Sequence, residues 1–202
     1  RDLELHEGLH AYTHGAMKES LRHIVGVQFR NCATVGGSIW GRFGFSDVLT
    51  MFLALDTEVE LFKGGRVCLW DFVKMPKDRD ILVHIIVKKT PIKTAYLSQR
   101  NTKTDFPVLA CCVSMSEDGM KAVYGARPSK AFLLEDEENI LKDVQTLSEE
   151  EKKEAYEKFA DYAARKVPTS GNMRGSAKYR TLLVKVLTRR ALEAVGGMSD
   201  EN

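Results

Sequence analysis

Arg30-Asn31-Cys32-Ala33-Thr34-Val35-Gly36-Gly37-Ser38-Ile39 is the stretch on which the reading of this chain turns. Two adjacent glycines leave backbone N–H groups uncovered, which suits them to cradle a diphosphate. Thr34 and Ser38 add hydroxyl donors. Gly41 and Gly44 follow among aromatic residues without periodicity, so residues 30–46 read as a loop whose backbone approaches something closely. Ser46 then caps a helix to about Leu55 that is apolar nearly all round and therefore buried. Its N-terminus offers further donors and the positive end of a dipole. Asp47 there suits a ribose or ribityl hydroxyl better than a phosphate, because like charges repel. The competing reading is a tight glycine turn that only links two elements.

The flanks divide into two α+β pieces. Upstream, Leu3 and Leu5 alternate with charged neighbours ahead of Glu7-Gly8, which predicts a hairpin over residues 3–12; residues 17–25 can form a short helix. Downstream, Val59 and Leu61 alternate with Glu58 and Glu60 as in a half-buried strand, Gly64-Gly65 turns, and residues 66–70 return. Residues 81–87 form a nearly continuous apolar strand, expected to be buried on both faces with His84 as a hydrogen-bonded core histidine. Lysines around Pro91 mark a boundary. Beyond it residues 95–99, 106–114 and 121–126 read as three strands, with a turn at Asp118-Gly119. Ser148 and Glu151 form a capping box, opening a helix with Tyr156, Phe159, Ala160 and Ala163 on one face. Residues 168–175 are a linker. In a last helix, 176–195, Tyr179, Leu182, Leu183, Val186 and Leu187 are expected inward, and Arg180, Lys185 and Arg189 outward. The domains are therefore 1–90 and 91–195, with a fraying tail over 196–202.

Composition removes other classes. Lys+Arg 30 against Asp+Glu 28 leaves a net charge of +2, too small and unclustered for a protein that neutralises nucleic-acid phosphates. The longest wholly apolar run, residues 108–113, cannot span a bilayer. The opening Arg1-Asp2-Leu3-Glu4 has neither the basic nor the apolar region of a signal peptide, which predicts a soluble, cytoplasmic protein. Cys32, Cys68, Cys111 and Cys112 show no CxxC spacing, which argues against a disulfide scaffold and an all-cysteine metal site. The neighbours Cys111 and Cys112 point to opposite faces of a strand and read as small buried hydrophobes. His6, His10 and His14 would bind a metal from one helical face, but in a hairpin they face solvent. The spacing from Gly36 to Gly41 touches the P-loop pattern but lacks its Lys and its Ser/Thr, and no GxGxxG follows a strand.

The segment from Arg30 to Ile39, with Asp47 at the expected distance, resembles the second flavin motif of the molybdenum-hydroxylase flavoproteins. These are the FAD-binding (medium) subunits of xanthine dehydrogenase and carbon monoxide dehydrogenase type enzymes. Their pattern runs roughly R-N-x-A-T-[IV]-G-G-[NS]-I-x-x-[AST]-x-P-x-x-D. Leu53-Ala54-Leu55-Asp56-Thr57-Glu58-Val59 resembles the family's "ALDAxV" stretch, Asp80-Ile81-Leu82 its "E-I-L" strand, and Arg174-Gly175-Ser176-Ala177-Lys178-Tyr179-Arg180 its terminal "R-x-S-x-x-Y-R". The matches keep the family's order from Arg30 to about Leu192.

The resemblance implies an α+β fold: the second subdomain of an FAD-binding domain of vanillyl-alcohol-oxidase type, then a CO-dehydrogenase-flavoprotein C-terminal domain. It implies that Thr34, Gly36, Gly37 and Ser38 meet the flavin diphosphate region, that Ala33 also binds the cofactor, that Gly41, Ser46 and Asp47 lie further along it, and that Leu82 packs near the flavin. No acid–base, nucleophilic or metal-ligating residue is assigned. The implied partners are a 2Fe–2S small subunit and a molybdopterin-binding large subunit, with NAD+ or another acceptor downstream. Arg42 stands where the family has a small residue, Gly44 where it has Pro, and Leu97 or Ser98 where some members have Lys. The family's first flavin motif, a glycine-rich "AGGTD" turn, is expected ahead of Arg1, in a longer chain. The alternative is a flavin-free assembly module that keeps the fold.

Overall fold

The computed structural model describes residues 1–117 and 119–198. Six short helices come first: α1 (Asp2–Leu5), α2 (Glu7–Tyr12), α3 (Ala16–Leu21), α4 (Val27–Cys32), α5 (Val35–Gly41) and α6 (Asp47–Ala54). The hairpin expected over residues 3–12 is thus α1 and α2. The His6 side chain caps α2, accepting from the Leu9 N–H at 3.1 Å, while Leu3, Leu9 and Tyr12 pack on the core. That packing outweighs the helix-weakening Gly8, which in sequence reads as a turn. Nor do residues 30–46 form an irregular loop. Arg30 is buried in α4, with Nε 2.8 Å from the Glu4 carboxylate, which ties α4 to α1.

β1 (Thr57–Leu61), β2 (Gly65–Cys68) and β3 (Leu82–Val87) form an antiparallel sheet in the order β2-β1-β3, with helix α7 (Leu69–Lys74) between β2 and β3. β1 alternates as its sequence dictates: Thr57, Val59 and Leu61 are buried, and Glu58 and Glu60 face Lys88 and His84 at 3.1 and 2.8 Å. β3 is an edge strand and not buried on both faces; His84 is 65% exposed and hydrogen-bonded to the Glu60 carboxylate, not a core histidine.

β4 (Ile92–Arg100), β5 (Pro107–Ser116), β6 (Gly119–Gly125) and β7 (Phe132–Leu134) form a second antiparallel sheet in that order. It has one strand more than expected, because the three residues of β7 are too few to display a period. Of the expected turn at residues 118–119, Asp118 lies outside the described residues. β5 is the centre of the molecule and alternates between two cores. Leu109, Cys111 and Val113 face α8 (Glu149–Lys166) and α9 (Ala177–Gly196); Ala110 and Cys112 face α6. The two cysteines do point opposite ways, and burial pushes the Cys111 thiol up to about 12.

Ser148 and Glu151 close the capping box at the start of α8, and Tyr156, Phe159, Ala160 and Ala163 are buried. α9 departs from its expected orientation. Leu182 and Tyr179 are exposed, whereas Arg180, expected outward, is completely buried. Its guanidinium donates to Val108 O and Ser170 O at 2.8 Å, Gly175 O at 2.5 Å and Asn172 Oδ1 at 2.6 Å, so residues 168–175 are clamped onto β5. α9 continues to Gly196 and Met198 packs on the core, so the chain does not fray at 196–198; residues 199–202 lie outside the described residues.

Candidate functional site

The glycine pair opens α5. Thr34, in extended backbone, is its N-cap, and its Oγ1 accepts from Gly37 N–H at 3.1 Å. The first backbone bond inside the helix runs from Ser38 N–H to Thr34 O at 3.2 Å. The N–H groups of Val35 and Gly36 precede it and have no acceptor within the helix, the general condition of a first helical turn. Both Thr34 and Gly37 are exposed. A Cβ placed on Gly36 would meet only Leu82 Cδ2, at 3.8 Å, so the fold leaves open space there. Gly36 and Leu82 are distant in sequence, and β3 brings them together. Ala33 is the exposed C-cap of α4, directly before this turn. The Ser38 hydroxyl donates back to Thr34 O at 3.3 Å.

The remaining expected residues lie past the end of α5. Gly41 faces no open space: a Cβ there would strike the Phe43 ring at 2.8 Å. Ser46 caps α6, its Oγ accepting from Leu49 N–H at 3.2 Å. Asp47, at the first position of α6, is buried, and its Oδ1 accepts from Arg100 Nη2 at 2.5 Å and from the Tyr96 hydroxyl. Burial lifts its carboxyl above the ordinary aspartate value, and Arg100 and Tyr96 oppose that lift. Burial and the neighbouring Asp47 together raise the Tyr96 phenol. Arg100 also donates to Ser98 Oγ at 3.2 Å and to Asp105 O at 2.6 Å. The helix that starts at Asp47 is therefore locked onto β4. Sequence reading missed Tyr96 and Arg100, since nothing local ties them to a residue about fifty positions earlier.

Two of the departures from the family pattern, Arg42 and Gly44, have a structural reason. Arg42 adopts a left-handed backbone (φ 51°) and is buried, its Nη1 donating to Met75 O at 2.6 Å and its guanidinium 3.9 Å from the Phe72 ring centre. Gly44 lies against residues 129–130: a Cβ would fall 1.8 Å from Ser129 O, and Gly44 O accepts from Ala126 N–H at 2.6 Å. Neither Pro nor any other side chain fits there.

Two open grooves, a polar one of about 360 Å³ and a more apolar one of about 510 Å³, flank α3 along β4. Neither is lined by any residue of the α5–Leu82 face, which lies on open surface. The test of fit for a flavin dinucleotide is Gly36. Its first-turn position is bare and open, with Leu82 Cδ2 the only atom a Cβ there would meet, at 3.8 Å, so no protein atom stands where a diphosphate would approach the turn. Among the described residues no three His, Cys, Asp or Glu side chains converge as a metal site requires, and no helix is long and apolar enough to cross a membrane.

Residues 3–90 match the model of the FAD binding domain in molybdopterin dehydrogenase, and residues 94–195 that of the CO dehydrogenase flavoprotein C-terminal domain. The uncharacterized protein YgfM of Escherichia coli K12 is 32% identical over 124 residues, covering 61% of this chain and 48% of its own. The chain thus spans about half the length of the curated relatives it matches. Quinoline 2-oxidoreductase from Pseudomonas putida 86 superposes with a TM-score of 0.80 at 16% identity, covering 96% of this chain and 71% of that one. Carbon monoxide dehydrogenase from Hydrogenophaga pseudoflava gives 0.76 at 20% identity, with coverage of 96% and 71%.

Proposed function

Because the chain belongs to the medium, FAD-binding subunit family of the molybdenum hydroxylases, we propose that it is the flavin-carrying oxidoreductase subunit of such an enzyme. Its work is xanthine dehydrogenase-like and cytoplasmic: a molybdopterin-binding large subunit oxidises the substrate, a 2Fe–2S subunit relays the electrons, and NAD+ or another acceptor takes them. The observation that carries this reading is the bare N-terminal turn of α5 beside Leu82.

FAD supplies the two-electron chemistry when bound. The chain supplies placement. The Val35 and Gly36 N–H groups would hold the diphosphate, aided by the positive end of the helix. The Thr34 hydroxyl accepts from Gly37 N–H and keeps its own proton to donate. Leu82 would give the group an apolar neighbour at Gly36. Asp47 and Ser46 fix the start of α6, and the Arg100 and Tyr96 bonds hold it in register with β4.

The second reading, a flavin-free assembly module, draws on two facts: the α5 face is open surface, and the Asp47 carboxylate already has protein partners. One experiment separates the two. Gly36→Ala adds a methyl where only Leu82 is near, and Ala favours a helix over Gly by up to about 1 kcal/mol. The variant of the full-length protein is expected to melt no lower than the wild type while losing at least about tenfold in FAD affinity, about 1.4 kcal/mol. Unchanged flavin content in the variant refutes the assigned cradle; a colourless, folded wild-type protein establishes the module reading.

A further inference from the structure

The polar groove of about 360 Å³ lies between the end of α3 and the turn that joins β4 to β5, and it holds more donors than the protein uses. Arg22 and His23 enter it from the end of α3, and Arg100 and Lys103 from the end of β4 and the turn beyond. Arg22 Nε lies 2.8 Å from the Glu19 carboxylate and 3.0 Å from His23 Nε2, which leaves both terminal nitrogens of the guanidinium for a further acceptor. Lys103, exposed on the turn, pairs with no carboxylate among the described residues. Arg100 is already engaged, by Asp47, Ser98 and Asp105 O. Glu19 and Asp47 offset two of the three permanent cations, so the groove keeps a positive excess.

His23 supplies a second, independent observation. Its Nε2 accepts from Arg22 Nε, so the neutral ring carries its proton on Nδ1, and this buried Nδ1 meets no acceptor among the described residues. A buried donor left without an acceptor is rare and points to a group that completes it. Burial, then Arg22, Arg100 and Lys103, hold the ring below the ordinary histidine value, against the opposite pull of Glu19. Three of the four charged groups facing it are thus cations. The rest of the lining is neutral and polar. Ser98 Oγ accepts from Arg100 Nε and keeps its own proton to donate, and Asn101 and Thr102 add an amide and a hydroxyl. No Phe, Tyr or Trp lines the groove, which disfavours a nucleobase.

We propose that this groove binds a phosphate group carried on a small hydroxylated molecule. A phosphate brings only acceptors and two negative charges, which suits the free guanidinium nitrogens of Arg22 and the Lys103 ammonium. The groove is larger than a bare phosphate, and its amide and hydroxyl wall matches sugar hydroxyls. No residue of the α5–Leu82 face takes part, so the site stands whether or not that face holds flavin.

The test is calorimetric titration of the full-length protein, with flavin content recorded throughout. Ribose 5-phosphate is expected to bind at least about tenfold tighter than inorganic phosphate, and chloride at equal ionic strength not at all. Arg22→Gln/Lys103→Gln changes two exposed side chains. It is expected to lose at least about tenfold in affinity for ribose 5-phosphate, with melting temperature and flavin content unchanged. Sulfate keeps a fixed charge across neutral pH and so isolates His23. Its binding is expected to tighten several-fold from pH 8 to pH 6, because a bound anion favours the charged imidazole, and His23→Gln is expected to abolish that gain. Phosphate heats no different from the chloride control, or unchanged affinity in the double variant, overturn the site. Equal affinity for phosphate and its ribose ester overturns the hydroxylated carrier, and the same pH response in His23→Gln overturns the part given to His23. Flavin lost from the double variant overturns the separate site, by making these residues part of the flavin cradle.

Discussion

Gly44 and Arg180 show how far a single residue can depart from what its neighbours in sequence suggest. Gly44→Ala forces a methyl against the Ser129 carbonyl, backbone against which nothing can yield. Overpacking of this kind costs about 1–3 kcal/mol, so the urea midpoint of the variant is expected to fall accordingly with an unchanged slope. The sequence displays neither this contact nor the four acceptors that gather around Arg180: Ser129 and Val108 are far along the chain from their partners, and Ser170, Asn172 and Gly175 reach Arg180 only because the irregular segment before α9 folds back onto it. A helical wheel puts an arginine outside by default, since burying a charge is costly. Arg180 escapes that cost only through Val108, Ser170, Asn172 and Gly175. For the same reason the motif made Asp47 visible as a special residue, but not its partners Tyr96 and Arg100.

At the level of elements, caps and strong periods were legible and short pieces were not. Ser46 and Ser148 cap helices where their sequence context places them, and the alternation of β1 is that of its burial. The opening was misjudged because α1 and α2, of four and six residues, are too short to show a helical period and are held by tertiary contact. The Glu4–Arg30 pair is one such contact, and it makes α1 sensitive to acid. Burial raises the Glu4 carboxyl, but its bonds to Arg30 and Arg1 outweigh that and hold it below the ordinary glutamate range. A carboxylate with a depressed folded pKa stabilises the protein above its unfolded value, and that stability is lost as pH falls through the folded one. Glu4→Gln is therefore expected to lower stability at neutral pH by about 2 kcal/mol, the scale of a hydrogen bond to a charged group. The loss shrinks below the usual glutamate range. Thermal melts of both proteins across an acid series check the convergence.

Across the whole molecule, the two family segments meet at residues 90–94, but the packing does not divide there. α6 belongs in sequence to the first segment, and its apolar side rests on Ala110, Cys112 and Val123 of the second sheet. Its nearly all-round apolar pattern was readable as burial; what it was buried against was not. Leu53 in α6 is wholly inaccessible, and Leu53→Ala is expected to cost about 2–5 kcal/mol. Fluorescence of Trp40 and Trp70, both in the first segment, and far-ultraviolet dichroism should then shift in a single step, whereas two separate transitions would show that the segments unfold independently. Ser114 Oγ bonds the last turn of α6 through Ala54 O at 2.6 Å, and the Asp47–Arg100 pair fastens its beginning. Like a mortise pegged at both ends, the helix cannot tilt against β4 and β5 without breaking one of these bonds, so the joint between the two family segments is a fastened one and not a hinge.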